Sequence, residues 1–415
     1  MASSGLVEFS LNVLTFNCWG LPEPLGLPVG SKDRAHRIKA VAKALAEADY
    51  DIITLVEIWN EEDYLLIKES LSQTMPYSFY FYSGFTGSGV SVFSKSVIYD
   101  SLMHRYSLNG YAHHVHRCDW FGGKIVGLSK IRHNDTNIYV YSTHIHAFYD
   151  KDNDIYLPHR TVQAFELSQF VRSTSNGADV VLVMGDFNLE PDDLGYRLIL
   201  THSGLSDAWT ERENSAETDQ NNGYTCDTPL NVYTSPSSLA VWPEGKRIDY
   251  ILYRPGSIAE IAVEECRTTL SRIPGEAKIC YSDHEGVESR LRVRLRSSDS
   301  SFVHVSQPLD HESFRSIANE MLLVLEGGLN TVAWSRRFYC TVLFIMAVLY
   351  FTTIDLELSF PRLALFIMAV RFLITVAIAW LVWTGLVVLT MEAKALKAAK
   401  SSLSLQQENV ALIYR

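Results

Sequence analysis

The sequence predicts an α/β domain followed by a helical hairpin that crosses a membrane. Three observations predict it. Short apolar runs of strand character alternate with segments of helical period over residues 8–296. Several of those runs end in a polar or titratable residue. Two long apolar stretches, 338–354 and 363–390, follow near the end of the chain.

Taken in order, residues 11–17 read as a strand ending at Asn17. Ile38, Val41, Ala42 and Leu45 recur at helical spacing within 34–48. Residues 51–57 form an apolar run, Ile-Ile-Thr-Leu-Val, that ends at the carboxylate of Glu57, and Asn60 can cap the helix that follows. Ile138, Val140 and Ser142 alternate with Tyr139, Tyr141 and Thr143 in a strand ending at His144. Pro158 suits the first turn of a helix whose Ala164, Leu167 and Val171 share a face. A buried strand at 180–184 runs into Gly185-Asp186-Phe187-Asn188, and a further strand covers 248–253. Residues 286–295 alternate Val287, Leu291, Val293 and Leu295 with Glu288, Arg290, Arg292 and Arg294, one buried face and one wet face. His284 lies just before that strand.

A spanning helix needs about 20 apolar residues. The first stretch, 338–354, is a little short. The second carries Arg371, so its uncharged part is 372–390, with Arg371 snorkelling to one surface. The connection holds Asp355, Glu357, Pro361 and Arg362. Arg336 and Arg337 precede the pair and Lys394, Lys397 and Lys400 follow it, which puts both termini in the cytosol. No signal peptide is visible in residues 1–9. The expected organisation is a domain at 8–296, a linker and amphipathic helix at 297–335, two spans within 336–392 and a cytosolic tail at 393–415. In the amphipathic helix, Phe314, Ile317, Ala318, Met321, Leu322 and Leu325 form one stripe that Gly327-Gly328 ends. It either lies on the membrane or packs on the domain or on a second copy. A homo-oligomer through the C-terminal helices is therefore open, and a chain ending near Arg296 is expected to be soluble.

The formal net charge of -11 disfavours a nucleic-acid binder, which needs surplus Lys and Arg. The six cysteines show no zinc spacing and read as free thiols in a cytosolic domain. Strand ends are where a rigid sheet presents polar groups to a common cleft. Glu57, Asp186 and Asp283, with the amides of Asn17 and Asn188, make a hard-oxygen set without cysteine. Mg²⁺ fits such a set. His144 and His284 supply proton-transfer groups. Metal, histidines and amides together are the parts of a phosphodiester hydrolase.

Six blocks in order carry a resemblance: Phe16-Asn17, Val56-Glu57, Thr143-His144, Gly185-Asp186-Phe187-Asn188, Arg247-Ile248-Asp249-Tyr250 and Ser282-Asp283-His284. The chain resembles the endonuclease/exonuclease/phosphatase superfamily, and most of all the animal neutral sphingomyelinases with two C-terminal spans. Asn17-Cys18-Trp19-Gly20, Asp119-Trp120-Phe121, Gly123-Lys124 and His159-Arg160 are among the finer matches. The resemblance implies the DNase I-like four-layer sandwich, two packed mixed sheets flanked by helices. It also implies Mg²⁺-dependent hydrolysis of sphingomyelin to ceramide and phosphocholine, on the endoplasmic reticulum. Carried over, Glu57 is the direct metal ligand, while Asn17 and Asp283 hold the metal or its waters. Asp186 and Asn188 position the phosphate and the attacking water. His284 is the general base, oriented by Asp249, and His144 donates to the transition-state phosphate or the leaving oxygen.

The rivals are hydrolysis of lyso-phosphocholine lipids, an inositol phosphatase or nuclease of the same fold, and an inactive membrane scaffold. The blocks Asn188-Leu189-Glu190 and Lys246-Arg247-Ile248-Asp249 depart from the inositol phosphatase pattern. His146, two residues beyond His144, reads as structural. Trp120 and Phe121 read either as core or as contacts for the membrane or a choline group.

Overall fold

The computed structural model describes residues 7–23, 30–117, 119–213, 222–295 and 311–409. The expected linker at 297–310, with Arg296 beside it, lies outside them, as does the end of the expected tail, 410–415. In chain order the elements are β1 (Val7–Asn17), α1 (Arg34–Glu47), β2 (Ile52–Val56), α2 (Glu61–Leu71), β3 (Tyr77–Tyr80), β4 (Ser91–Ser94), β5 (Val97–Arg105), α3 (Asp119–Gly122), β6 (Ile125–His133), β7 (Thr136–His144), α4 (Leu157–Thr174) and β8 (Val180–Asp186). There follow α5 (Leu194–Ser203), β9 (Ser206–Asp207), α6 (Ala208–Glu211), α7 (Pro236–Val241), β10 (Asp249–Pro255), β11 (Ala259–Thr269), β12 (Gly286–Leu295), α8 (His311–Ser359), α9 (Ala364–Val382) and α10 (Leu389–Glu408).

The strands form two six-stranded mixed sheets, ordered β11-β12-β1-β2-β4-β3 and β5-β6-β7-β8-β10-β9. Their central strands are apolar on both faces because both faces are covered. In β1, Leu11 and Val13 enter the core between the sheets, whereas Leu14 and Phe16 lie under α1 and α2. In β2 the split is Ile52 and Val56 against Ile53 and Leu55. The second sheet repeats it. Ile138, Val140, Val180, Leu182 and Met184 face the first sheet, and Tyr139, Tyr141, Val181 and Val183 face α4 and α5. The result is the four-layer sandwich that the family resemblance implies. Asn60 caps α2 through its side chain, which accepts from the Glu62 N–H, and Pro158 sits in the first turn of α4.

Three features of the C-terminal region go beyond or against the sequence reading. First, Gly327-Gly328 does not end a helix. α8 runs unbroken for 49 residues from the amphipathic stripe into the first apolar stretch. A Cβ on Gly328 would stand 3.0 Å from the Pro158 ring, so glycine is used here for close approach of α8 to α4 rather than for a C-cap. Second, of the alternatives open for the stripe, packing on the domain is the one the structure shows. Phe314, Ile317, Ala318, Met321 and Leu325 are buried in one cluster with Val162, Phe165, Leu198 and Ile199, and Phe314 stacks on His202. Third, the described part of the expected tail is α10, which returns to the same surface with Leu396, Ala399 and Leu403 buried.

Among the described residues, two helices that include these docked ends are long and apolar enough to cross a membrane. Large side chains along them, such as Phe344 and Leu365, are exposed. Arg371 does not snorkel alone: it pairs with Glu357 of the facing helix at 2.6 Å and donates to the Thr353 hydroxyl at 3.0 Å. Only the hairpin brings those groups together.

A chain ending at Arg296 would uncover the surface under Phe314, Ile317, Met321 and Leu325. Each buried apolar side chain contributes about 1.5–3 kcal/mol. The expected result is a head that binds an apolar dye and unfolds on the order of 10 °C below the full chain in detergent. Equal unfolding midpoints would show that α8 and α10 do not brace the domain.

Candidate active site

Strand direction explains why six distant blocks meet. β1 runs parallel to β2, and β7 parallel to β8, so Asn17, Glu57, His144 and Asp186 all lie at C-terminal strand ends on one side of the sandwich. β10 is antiparallel to β8 and begins where β8 stops, with Asp249 opposite Asp186. β12 is antiparallel to β1 and begins where β1 stops, which brings Asp283 and His284 to the same end.

Within the site, the Asn17 amide donates to Glu57 Oε1 at 3.1 Å and to Asp186 Oδ2 at 2.9 Å. It thus bridges the two sheets. Glu57 has a left-handed backbone, φ 59°, a strained conformation for a non-glycine residue and one that re-aims its carboxylate after the strand. Trp59 donates from Nε1 to Glu57 Oε2 at 3.5 Å. His284 Nδ1 donates to Asp249 Oδ2 at 2.8 Å, and the Thr225 hydroxyl donates to the same oxygen at 2.6 Å. His284 Nε2 then faces Asp186 Oδ2 at 3.9 Å. Asn188 is anchored by its backbone N–H to Asp186 Oδ1 at 2.9 Å and by its amide to the Ile145 carbonyl at 3.0 Å.

Every singled-out residue is at this end, though they do not form one tight group. Ligand-type atoms of Glu57, His144 and Asp186 lie within 4.8 Å of one another, as do those of Asp186, Asp249 and His284. Asp283 stands beside these groups, with Ser282 Oγ donating to it at 3.1 Å. His146 is fully buried, stacks on Tyr156 and has its Nε2 3.6 Å from Asp119 Oδ2.

Lys124 escaped the sequence reading as a site residue. It is buried, and its ammonium donates to His144 Nε2 at 2.8 Å and to the Ile145 carbonyl at 3.0 Å. Asp119 lies 3.7 Å from it. The available signal was a lysine at the mouth of an apolar strand, Gly123-Lys124-Ile125-Val126, where a charge needs a partner.

Burial lowers the Lys124 pKa, against the opposing pull of Asp119, Glu57 and Asp186. It also pushes His144 well below its ordinary value, with Lys124 adding to the effect, so His144 is a neutral acceptor for the ammonium. Burial and the neighbouring Asp249 push Asp186 up to about 7. Burial and Glu57 push Asp283 up to about 6, against the opposing pull of His284. For His284, burial acts downward, but Cys226 and Asp249 outweigh it and hold the imidazole well above its usual value. These crowded carboxylates resist ionising side by side, and all their donor atoms are oxygens. A hard divalent cation fits that set and would relieve the repulsion.

Comparison with known proteins agrees with this fold. The sequence profile described as the Endonuclease/Exonuclease/phosphatase family matches residues 14–284. A putative neutral sphingomyelinase of Caenorhabditis elegans is 44% identical over 404 residues, covering 95% of this chain and 90% of that protein. Sphingomyelin phosphodiesterase 2 of Mus musculus is 38% identical, covering 80% and 77%. Among solved structures, sphingomyelinase C from Streptomyces griseocarneus superposes with a TM-score of 0.50 at 18% identity, over 68% of this chain and 99% of that one, a likeness of fold.

Proposed function

The chain belongs to the endonuclease/exonuclease/phosphatase family, among its neutral sphingomyelinases, and we propose that it hydrolyses sphingomyelin to ceramide and phosphocholine with Mg²⁺ at a membrane surface. The observation that carries the reading is the juxtaposition of the His284–Asp249 pair with the Glu57–Asn17–Asp186 cluster. Glu57 would hold the cation, with Asn17 and Asp283 supporting it or its waters. When bound, Mg²⁺ offsets negative charge on the phosphate as the transition state forms.

The chain's own groups account for the remaining steps. Asp249 fixes the proton of His284 on Nδ1, which leaves Nε2 to accept one from the attacking water. Thr225 holds Asp249 in that orientation. Asp186 and Asn188 position the water and the phosphate. Lys124 brings a positive charge to His144, and the pair can stabilise the phosphate oxygens and return a proton to the leaving ceramide oxygen.

The surface setting has its own support. Among the described residues of the head, the four most exposed large apolar ones are Phe85, Leu230, Tyr82 and Val115, at 89%, 76%, 61% and 52%. All four sit on connections at the site end of the sandwich. At that end the Tyr339 ring, at the start of the first apolar stretch in α8, comes within 6.1 Å of the His113 ring. Such a rim suits contact with lipid rather than water. The basic residues Arg336, Arg337, Lys394, Lys397 and Lys400 support cytosolic termini. The endoplasmic reticulum remains the proposed location from the family resemblance.

The test is phosphocholine release by the full chain from vesicles of sphingomyelin, phosphatidylcholine or a lyso-phosphocholine lipid, with Mg²⁺ or with EDTA. Release from sphingomyelin in Mg²⁺, its loss in EDTA and its return on adding Mg²⁺ are expected. Faster release from the lyso lipid, or full activity in EDTA, would overturn the substrate or the metal, respectively.

A further inference from the structure

We infer that Glu392, at the base of the second membrane helix, is a positioning residue for turnover: through His159 it holds the connection that delivers Lys124 to the site. The inference rests on the hydrolase reading above for its activity readout, and on geometry for the rest. Glu392 belongs to α10, close to the point where the chain leaves the apolar stretch. Its side chain is nonetheless buried, at 7% exposure, against His159 of α4, at 1%. Glu392 Oε1 lies 3.4 Å from His159 Nε2. The other ring nitrogen, Nδ1, accepts the Gly110 N–H at 3.0 Å. That bond leaves the ring proton on Nε2, so His159 donates to Glu392 and the carboxylate fixes the tautomer that grips Gly110.

Gly110 lies on the connection between β5 and β6, which ends at Lys124. One turn further along α4, Gln163 donates to the Leu108 carbonyl at 2.7 Å and accepts the His146 N–H at 2.7 Å. The same connection starts at Tyr106, whose N–H donates to the Lys124 carbonyl at 3.1 Å and whose hydroxyl meets Thr143 Oγ1 at 2.6 Å, one residue before His144. Gly110 has φ 86°, and a Cβ there would meet His146 Nε2 at 2.5 Å, so the connection has no room to shift toward the strand ends. His159 and Gln163 therefore act as two fingers on the segment behind Lys124 and His144, and Glu392 sets the first finger from the anchor side.

Stability is a poor explanation for the pair. A buried carboxylate held by a neutral imidazole N–H commonly stabilises less than apolar side chains of the same volume. Leu389 and Leu396, its neighbours on α10, are already buried among apolar groups. An acid retained at this depth, bonded to a histidine that orients a site connection, fits a geometric role.

The test uses the full chain in detergent micelles containing sphingomyelin, with Glu392→Leu, Glu392→Gln, His159→Leu and the double variant Glu392→Leu/His159→Leu. Amide exchange of residues 106–117 and the unfolding midpoint are measured on the same preparations. Glu392→Leu should lower kcat roughly 10- to 100-fold, as a small displacement of catalytic groups does. KM should stay within about twofold, because these residues do not touch the lipid site. Glu392→Gln, which can still accept the bond, should recover most of the loss. The double variant should be no worse than the poorer single one. Exchange in 106–117 should rise in both leucine variants. Unchanged kcat together with unchanged exchange in Glu392→Leu would overturn the inference, as would a kcat loss that tracks only the unfolded fraction. Should the unaltered chain release no phosphocholine, the substrate reading falls, and the exchange measurement alone decides the positioning role.

Discussion

Glu57→Gln lowers phosphocholine release on the order of 10³-fold or more while the protein stays folded. The substitution keeps the shape of the side chain. Its amide oxygen can still accept from Asn17 Nδ2, the stronger of the two donors that hold the carboxylate, while the amide nitrogen replaces the oxygen that accepts from Trp59 Nε1 at 3.5 Å. What disappears is one negative charge at the place where Glu57, His144 and Asp186 converge. The effect should therefore appear in Mg²⁺ titrations as a weaker apparent affinity and in saturating Mg²⁺ as a lower kcat, with circular dichroism and the unfolding midpoint unchanged. Near-normal turnover by a folded Glu57→Gln protein would remove Glu57 from the metal site.

Replacing His284 by Ala has the second large effect, a fall in kcat of about 10²–10⁴-fold. A general base must be unprotonated. Cys226 and Asp249 hold the His284 imidazole well above its ordinary value against the downward push of burial, so its neutral form is reached only above the usual histidine range. Activity of the unaltered chain should thus rise as pH increases through neutrality, and Asp186, pushed up to about 7, acts in the same direction as it ionises. In His284→Ala the residual rate should lose the part of that rise due to the imidazole. His144→Ala should also be severe, because it removes the acceptor of the Lys124 ammonium. The double variant should cost less than the product of the two, since both groups serve one transition state. A His284→Ala protein with unaltered kcat across the pH range would rule out the general-base role.

The central strands were legible because they are short apolar runs, and because four of them stop at or just before a residue with no apolar reason to be there; the sandwich they build was implied by the family resemblance. Asn17, Glu57, His144 and Asp186 could be read from that punctuation alone. Asp249 gained its role from the family resemblance, and its 2.8 Å bond to His284 gives that role a geometry. The misses share a cause. Gly327-Gly328 has the composition of a helix end, but the need for glycine arises from Pro158, some 170 residues earlier in the chain. Arg371 looks solitary until the hairpin sets Glu357 opposite it. Lys124 becomes meaningful only when β6 pairs with β7 and brings it to His144. α10 reads as a tail because its apolar positions are sparse, and its docking depends on a surface prepared by α4 and α8. Local pattern specifies elements; these features depend on partners far away in sequence.

The unbroken course of α8 through the domain boundary has a kinetic meaning on the proposed reading. A head on a loose leash would sample a volume and strike the bilayer at random angles. A head gripped by a helix that continues into the membrane, and gripped again by the helix that returns, has its tilt and height set by the hairpin. Its search for substrate is then two-dimensional: lipids drift to it within one leaflet, and dissociation into water ceases to be a step of the cycle. Phosphocholine leaves into the aqueous phase while ceramide stays behind in the leaflet. Turnover on a single vesicle then depletes the lipid within reach of that one leaflet and stops, however much substrate other vesicles hold.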